Sequence, residues 1–311
     1  MKQIAVVGSF VMDLIARVDV FPLDGQTIIG GTFVSLPGGK GANQAVAASR
    51  LGGNVQMFGR VGSDGYGETF INVFKNEHID VSAVKKLEEL PTAVGLIQID
   101  NRAENRIVVI PGANYGYTES DLLADADSIL KSDLVVTQLE LKHEVTYKLI
   151  ELCFEKGVPI ILNPAPAIKI PDEILKKVTY LTPNETELEI LTDCKIQTIE
   201  DAKNAITKLL NLGIKQVIAT LGKNGALIGN GDGFTHISGY IVEAIDTVAA
   251  GDSFNGALAV GIVAGKTMSE IVDYANAVGA LTVTKQGAIP SLPTKEEVAT
   301  FVKGQTHDSR H

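Results

Sequence analysis

The sequence predicts an α/β fold: a doubly wound, mostly parallel sheet flanked by helices, with a small β-sheet lid. Short apolar runs of strand type alternate with segments of helical period, the signature of parallel strands covered on both faces. Each helical segment has Gly, Pro, Asn or Asp at one or both ends, which sets its limits. Two stretches, 14–36 and 92–110, break this rhythm and read as β-meanders with a wet face.

Taken in order, the strand signals fall at 4–7, 55–58, 134–137, 159–162, 180–182 and 216–220. The helical signals fall at 42–51, 67–77, 119–130, 145–156, 185–191, 199–212, 253–264 and 268–284. The second irregular stretch turns through Asp100-Asn101-Arg102-Ala103-Glu104-Asn105, a hairpin composition. The whole chain, 1–311, reads as one domain in which the two excursions form either a lid over a reactive site or an edge extension. The polar end, 304–311, reads as frayed.

Composition narrows the function. A net charge of −10 argues against nucleic acid or an anionic membrane as partner, both of which require basic patches. A nucleotide stays possible, because amides and metal ions bind phosphate within an acidic protein. Glycine, 31 residues in 311, is enriched over the usual share of about 7% and clustered, as around a ligand. Cys153 and Cys194 sit in helix-like contexts and read as reduced thiols, neither a disulfide nor a metal site. No basic leader precedes the first strand and no window approaches 18 apolar residues, so a soluble cytoplasmic protein is expected.

The strongest local signal is Asp246-Thr247-Val248-Ala249-Ala250-Gly251-Asp252-Ser253-Phe254-Asn255-Gly256-Ala257. Small residues at 249–251 open an apolar helix, whose first N–H groups and positive dipole end suit an anion. Asp252 is then either an N-cap or the group that serves a nucleophile while the amides hold a phosphoryl group. Gly8-Ser9-Phe10-Val11-Met12-Asp13 follows the first strand, where α/β sheets bind ligands, so Asp13 is a hydroxyl acceptor or a turn residue. Pro37-Gly38-Gly39-Lys40-Gly41-Ala42-Asn43-Gln44 opens a helix but lacks the Walker A spacing; Gly39, Gly41 and Asn43 could meet sugar hydroxyls. Asn184 and Glu187 lie one helical turn apart, suited to hydrated Mg²⁺ or to a capping box. Thr220-Leu221-Gly222-Lys223-Asn224-Gly225 is a nucleotide-lining turn or a plain hairpin. The five histidines show no ligand spacing, and His143 and His236 read as incidental.

In this order the motifs resemble the ribokinase-like carbohydrate kinase family, of the phosphofructokinase-B type, from residue 4 to about 293. Asn163-Pro164-Ala165-Pro166-Ala167 adds to the likeness. The resemblance implies transfer of a phosphoryl group from ATP to a sugar hydroxyl, with the lid often shared across a homodimer. It implies Asp252 as catalytic base and Ala249, Ala250 and Gly251 as a backbone anion hole. Sugar-binding positions are implied at Asp13, Gly39, Asn43 and Glu140, with Val11, Met12, Lys40, Gly41 and Ala42 in the same segments. Nucleotide-binding positions are implied at Asn184, Thr220, Leu221, Gly222, Lys223, Asn224, Gly225, Gly251 and Asn276, with Glu187 near Mg²⁺ through water. A K⁺ site is implied at Asp246, Val248, Thr282, Lys285, Gly287 and Ser291, several through backbone carbonyls.

One position departs from the family pattern. Ribokinases commonly place Asn two residues after the serine of the first motif, where this chain has Val11. Valine cannot bond a hydroxyl, and a buried hydroxyl left unpaired costs about 1–3 kcal/mol. The expected reaction is phosphorylation of the 5-hydroxyl of ribose or of 2-deoxyribose. The alternatives are another sugar or nucleoside kinase of the family, or a sugar-binding regulator without catalysis.

Overall fold

In the computed structural model, which describes residues 2–102 and 104–305, the first apolar run forms β1 (Gln3–Val7), an interior strand third from one edge of a nine-stranded sheet. Its side chains alternate: Ile4 and Val6 enter one core, Ala5 and Val7 the other. On one side of β1 lie β4 (Asn54–Gly62) and β5 (Asp80–Leu87); on the other lie β8 (Leu134–Thr137), β9 (Ile160–Leu162), β10 (Tyr180–Leu181) and β11 (Gln216–Thr220). All of these pair in parallel. The edge beyond β11 is antiparallel, made by β12 (Ala226–Asn230) and β13 (Gly233–Ile237).

Helices cover both faces. The first core packs α1 (Lys40–Arg50), α2 (Gly65–Asn76), α8 (Ala250–Ala264), α9 (Met268–Thr282) and α10 (Lys295–Gln305). The second packs α3 (Glu119–Ile129), α4 (His143–Lys156), the short α5 (Asp172–Leu175), α6 (Glu185–Thr192) and α7 (Ile199–Asn211). Strand order reverses between β1 and β8, so the crevice expected for a ligand lies beyond their carboxyl ends, at residues 8–13 and 138–140. No helix of the described residues is long and apolar enough to cross a membrane.

A separate four-stranded sheet joins β2 (Val11–Arg17), β3 (Thr32–Gly38), β6 (Val94–Ile99) and β7 (Asn105–Ile110) in the order β3-β2-β6-β7. It consists of two antiparallel hairpins joined by a parallel β2–β6 pairing rather than of simple meanders. β2 starts three residues before the expected excursion at 14, so Val11, Met12 and Asp13 belong to this sheet. The segment 18–31, expected to be partly strand, contains none; Pro22, Gly25, Gly30 and Gly31 interrupt it.

Four elements gave no clear sequence signal, among them the four-residue α5, too short to show a helical period. β5 and β13 are edge strands without a fully buried side chain, and α10 buries only Val298, so none shows an apolar run. Both thiols are free: Cys153 is buried in α4, and Cys194 lies just past α6 rather than within it. Of the polar end, Gly304 and Gln305 are helical, and 306–311 lie outside the described residues.

Candidate active site

The crevice is shaped by glycines that let chain segments nearly touch. A Cβ on Gly41 would sit 2.3 Å from the Ser9 nitrogen, and one on Gly39, whose φ is 90°, 2.6 Å from the Val11 nitrogen. The first turn of α1 therefore lies directly against the loop after β1, with Ala42 donating its N–H to the Ser9 carbonyl at 2.9 Å. Glu140, just after β8, ties the two together: one carboxylate oxygen accepts from the Ser9 hydroxyl at 2.5 Å and from the Lys40 N–H at 2.9 Å. Gly38 and Gly95, on the strands flanking β2, leave the space taken by the Asp13 carboxylate; an added Cβ would lie 2.6 and 2.9 Å from its oxygens. Val11 is buried beside Gly39 and Gly95. Met12 alternates to the opposite side and packs in the core, so its side chain does not line the crevice.

The helix expected to hold an anion begins at Ala250. Its N-cap is Ala249, a left-handed residue with φ 62°, and no side chain caps the first turn. Gly251 is exposed, and a Cβ there would meet nothing, so the ground before its amide is open. Asp252 lies inside the helix and does not cap it. It is 6% exposed, and both its oxygens accept from amides across the crevice: Oδ2 from Asn43 Nδ2 at 2.9 Å and Oδ1 from Gln44 Nε2 at 3.0 Å. Asn43 Oδ1 is buried without a partner, an acceptor free for a hydroxyl.

Charge is concentrated here. Burial, then the neighbouring Glu140 and Asp252 carboxylates, raise Asp13 to a pKa of about 7, against the pull of Lys40. Burial pulls the Lys40 ammonium down, but Asp252, Glu140, Glu187 and Asp13 around it outweigh this and raise it. Burial also raises Glu187, opposed by the Asn184 N–H and by Lys40.

On the other side of α8's first turn, Asn184 and Glu187 form a complete capping box. Asn184 Oδ1 accepts from the Glu187 N–H at 2.8 Å, and Glu187 Oε2 accepts from the Asn184 N–H at 2.8 Å. Asn184 Nδ2 also donates to Glu187 Oε1 at 2.9 Å, so both carboxylate oxygens are engaged and suit contact with a hydrated ion better than direct ligation. Thr220 pairs with Asn184 in a parallel bridge. The turn after it is a hairpin connecting β11 to β12, with one 3₁₀ turn at Gly222–Asn224 and Leu221 bonded to the Gly225 carbonyl at 2.8 Å. His236 holds that turn through the Asn224 carbonyl at 2.7 Å, and Asn276 donates to the Ile237 and Ser238 carbonyls at 3.1 and 3.2 Å. Lys223 lies in the same turn.

The six residues of the expected cation site come from two adjoining segments. Asp246 bridges them, its oxygens accepting from the Val248 N–H at 3.0 Å and the Gly287 N–H at 2.9 Å. Thr282 donates its hydroxyl to a carbonyl within α9 and Ser291 to that of Ala288, while Lys285 pairs with Glu297 on the surface. Among the described residues no group of three or more His, Cys, Asp or Glu could hold a metal, so a cation between these segments would rest chiefly on backbone carbonyls.

Comparison with known proteins decides the family. Residues 1–295 match the pfkB family carbohydrate kinases. This chain belongs to that family. It is 36% identical to the ribokinase of Haemophilus influenzae, over 97% of this chain and 99% of that one. It is 35% identical to the deoxyribokinase of Salmonella typhimurium, over 95% of this chain and 97% of that one. Among solved structures, Arabidopsis thaliana ribokinase complexed with ribose and ATP superposes with a TM-score of 0.92 at 31% identity, covering 97% of this chain and 99% of that one. The α/β architecture with its separate small sheet is thus that of the pfkB kinases.

Four residues of this kinase's crevice were given no role by the sequence: Gln44, Asn163 and Asn255, which lie inside the quoted motifs, and Gln138, which lies outside them. Each is buried and bonded to another of the four or to a neighbouring residue. A polar residue directly after an apolar strand, as Gln138 follows β8 and Asn163 follows β9, is a signal that finds two of them.

Proposed function

We propose that this kinase transfers the γ-phosphoryl group of ATP to the 5-hydroxyl of a pentose, D-ribose or 2-deoxy-D-ribose. The observation that carries the reading is Asp252: a buried carboxylate one residue after the open Gly251 amide, aimed across the crevice by two amide donors. Asp252 takes the proton of the attacking hydroxyl. The new bond joins the sugar oxygen to the γ-phosphorus as the bond to the bridging β–γ oxygen breaks, and ADP leaves. The Ala249, Ala250 and Gly251 amides, at the positive end of α8, receive the charge that develops on the phosphoryl oxygens. Asp13, Asn43, Gly39, Gly41 and Glu140 bind and orient the sugar, a positioning role that dominates such transfers.

Asn184, the Thr220–Gly225 turn and Asn276 would hold the nucleotide; the pairing of Thr220 with Asn184 supports a shared role for them. Mg²⁺ on the phosphates would supply charge neutralisation, with Glu187 reaching its waters. K⁺ between the Asp246–Val248 and Thr282–Ser291 segments would stiffen the anion hole. Four consecutive exposed apolar residues on β7, Ile107 to Ile110, with Phe33 and Val34 on β3, support a homodimer through the small sheet, which would serve as a lid.

A coupled assay of ADP release over ribose, 2-deoxyribose, hexoses and nucleosides, with and without K⁺, tests the reading; no release with either pentose overturns it. Val11 sharpens it. Relatives at similar identity include both ribokinases and deoxyribokinases, whereas a buried valine at this place favours a sugar lacking a hydroxyl. Val11→Asn is expected to raise kcat/KM for ribose relative to 2-deoxyribose by about tenfold, the worth of one hydrogen bond. An unchanged ratio removes Val11 from sugar selection.

A further inference from the structure

Asp252 is held by a chain of uncharged amides running beneath the crevice. Gln44 Nε2 donates to Asp252 Oδ1 at 3.0 Å and to Asn163 Oδ1 at 3.1 Å. Asn163 Nδ2 donates to the Thr182 carbonyl at 3.2 Å, and the Thr182 hydroxyl donates to Asn255 Oδ1 at 2.7 Å. Asn255 Nδ2 then donates to the Gly251 carbonyl at 2.8 Å, one residue from Asp252. The chain therefore closes on the first turn of α8, tying it to the ends of β9 and β10. Gln44, Gln138, Thr182 and Asn255 are 1–2% exposed, and Asn163 is 7% exposed.

A primary amide can face either way, and something must choose. If Gln44 were reversed, its carbonyl oxygen would point at the Asp252 carboxylate and two acceptors would meet. Asn163 prevents this: its Nδ2 donates to the Thr182 carbonyl, which leaves Oδ1 facing Gln44 and able to accept only from Gln44 Nε2. Gln138 Nε2 completes the set by donating to Gln44 Oε1 at 2.7 Å, while Gln138 Oε1 is itself buried without a partner. Gln138 occupies the first position after β8, at the point where the strand order reverses, and makes no hydrogen bond to Asp252. A buried amide deprived of its partner is costly, so the arrangement is strongly selected once formed.

We propose that Gln44 is the positioning residue that aims the Asp252 carboxylate, and that Gln138 acts through it by holding the oxygen of its amide. This rests on Asp252 being the base. Amides suit this role because they orient the Asp252 carboxylate without adding to the positive charge that Lys40 already brings near it.

The test is a double-mutant cycle in the full chain. Gln138→Leu and Gln44→Leu should each lower kcat about 10- to 100-fold, with KM for pentose and for ATP within threefold of the parent, because neither side chain is needed to bind them. Calorimetric titration with ATP counts folded sites, so that a loss of active protein is not read as a loss of kcat. The doubly substituted protein should be no slower than Gln44→Leu alone, since Gln138 has nothing to hold once Gln44 is gone. Gln138→Met keeps the side-chain length and takes the place of Gln138→Leu if that protein does not fold. The proposal is overturned if the Gln138 variant keeps kcat within twofold, if the loss lies in KM, or if the two losses multiply. Asp252→Asn runs in parallel. If it retains turnover, the base itself is wrong; if it is inactive while the Gln138 variant matches the parent, only the positioning role fails.

Discussion

Two helix starts on opposite faces of the sheet are built in opposite ways. α6 begins with a complete capping box, in which Asn184 and Glu187 satisfy each other's backbone N–H groups. α8 begins at a left-handed alanine with no side-chain cap and an exposed glycine in its first turn. α2, α3, α7 and α9 follow α6, each capped by Asp64, Thr118, Thr198 or Thr267. α1, which also opens on the crevice, follows α8: its N-cap is Gly39 and no side chain caps it. A cap stabilises a helix by filling the place where an anion would sit. α4 and the short α5 also lack a side-chain cap, at Lys142 and Pro171, so an empty cap alone does not mark a site; at α1 and α8 the free donors open on the crevice.

The contrast can be broken most sharply at Gly251. A Cβ there touches no protein atom, so Gly251→Val should fold with a melting temperature close to the parent while losing about 10²-fold in kcat/KM for ATP, as the phosphoryl group is displaced. A matching loss of melting temperature would mean that the open end is structural.

Charge sharpens it further. The Asp13 carboxyl, crowded near the uncapped end of α1, is raised from 3.8 to about 7, so the folded chain holds a proton there that the unfolded chain has released. Its contribution to stability is complete below about pH 3.8 and disappears as pH rises through 7. Melting temperature measured between pH 5 and 8 should therefore decline, and Asp13→Asn should flatten the decline. An unchanged slope would assign it to other groups.

The smallest effect belongs to the capped end. Asn184→Ala removes the cap of α6 and should cost about 1 kcal/mol, or roughly 2 °C in melting temperature. If Asn184 also meets the nucleotide, KM for ATP rises with it; an unchanged KM leaves it a cap alone.

Much of this was legible in the sequence because the signals were local. The six parallel strand runs and eight helices were marked by apolar period and by their end residues, and Asp13, Asn43 and Asp252 stood in glycine-bounded segments at strand or helix ends. β5, β13 and α10 were not legible, since an edge element buries too little to need an apolar run. Met12 was expected among the sugar-binding residues because it lies between Val11 and Asp13, but strand alternation sends it to the core. That Asp252 does not cap the helix follows from the N-cap at Ala249, and the groups that hold its carboxylate instead, Asn43 and Gln44, lie more than 200 residues away in the chain. Those bonds are tertiary, and no window of sequence contains them.

The amide chain under Asp252 has a consequence for the conditions in which the enzyme works. Salt screens exposed charges more than about 10 Å apart at 0.1 M ionic strength, and an amide carries no net charge to screen. The hydrogen bonds from Asn43 and Gln44 are also buried, away from dissolved ions. Phosphate binding at α8 would weaken in a saltier solution, but the direction of the carboxylate would not change. On the proposed roles, the hold on the nucleotide would be open to tuning by ions, and the aim of the Asp252 carboxylate would not.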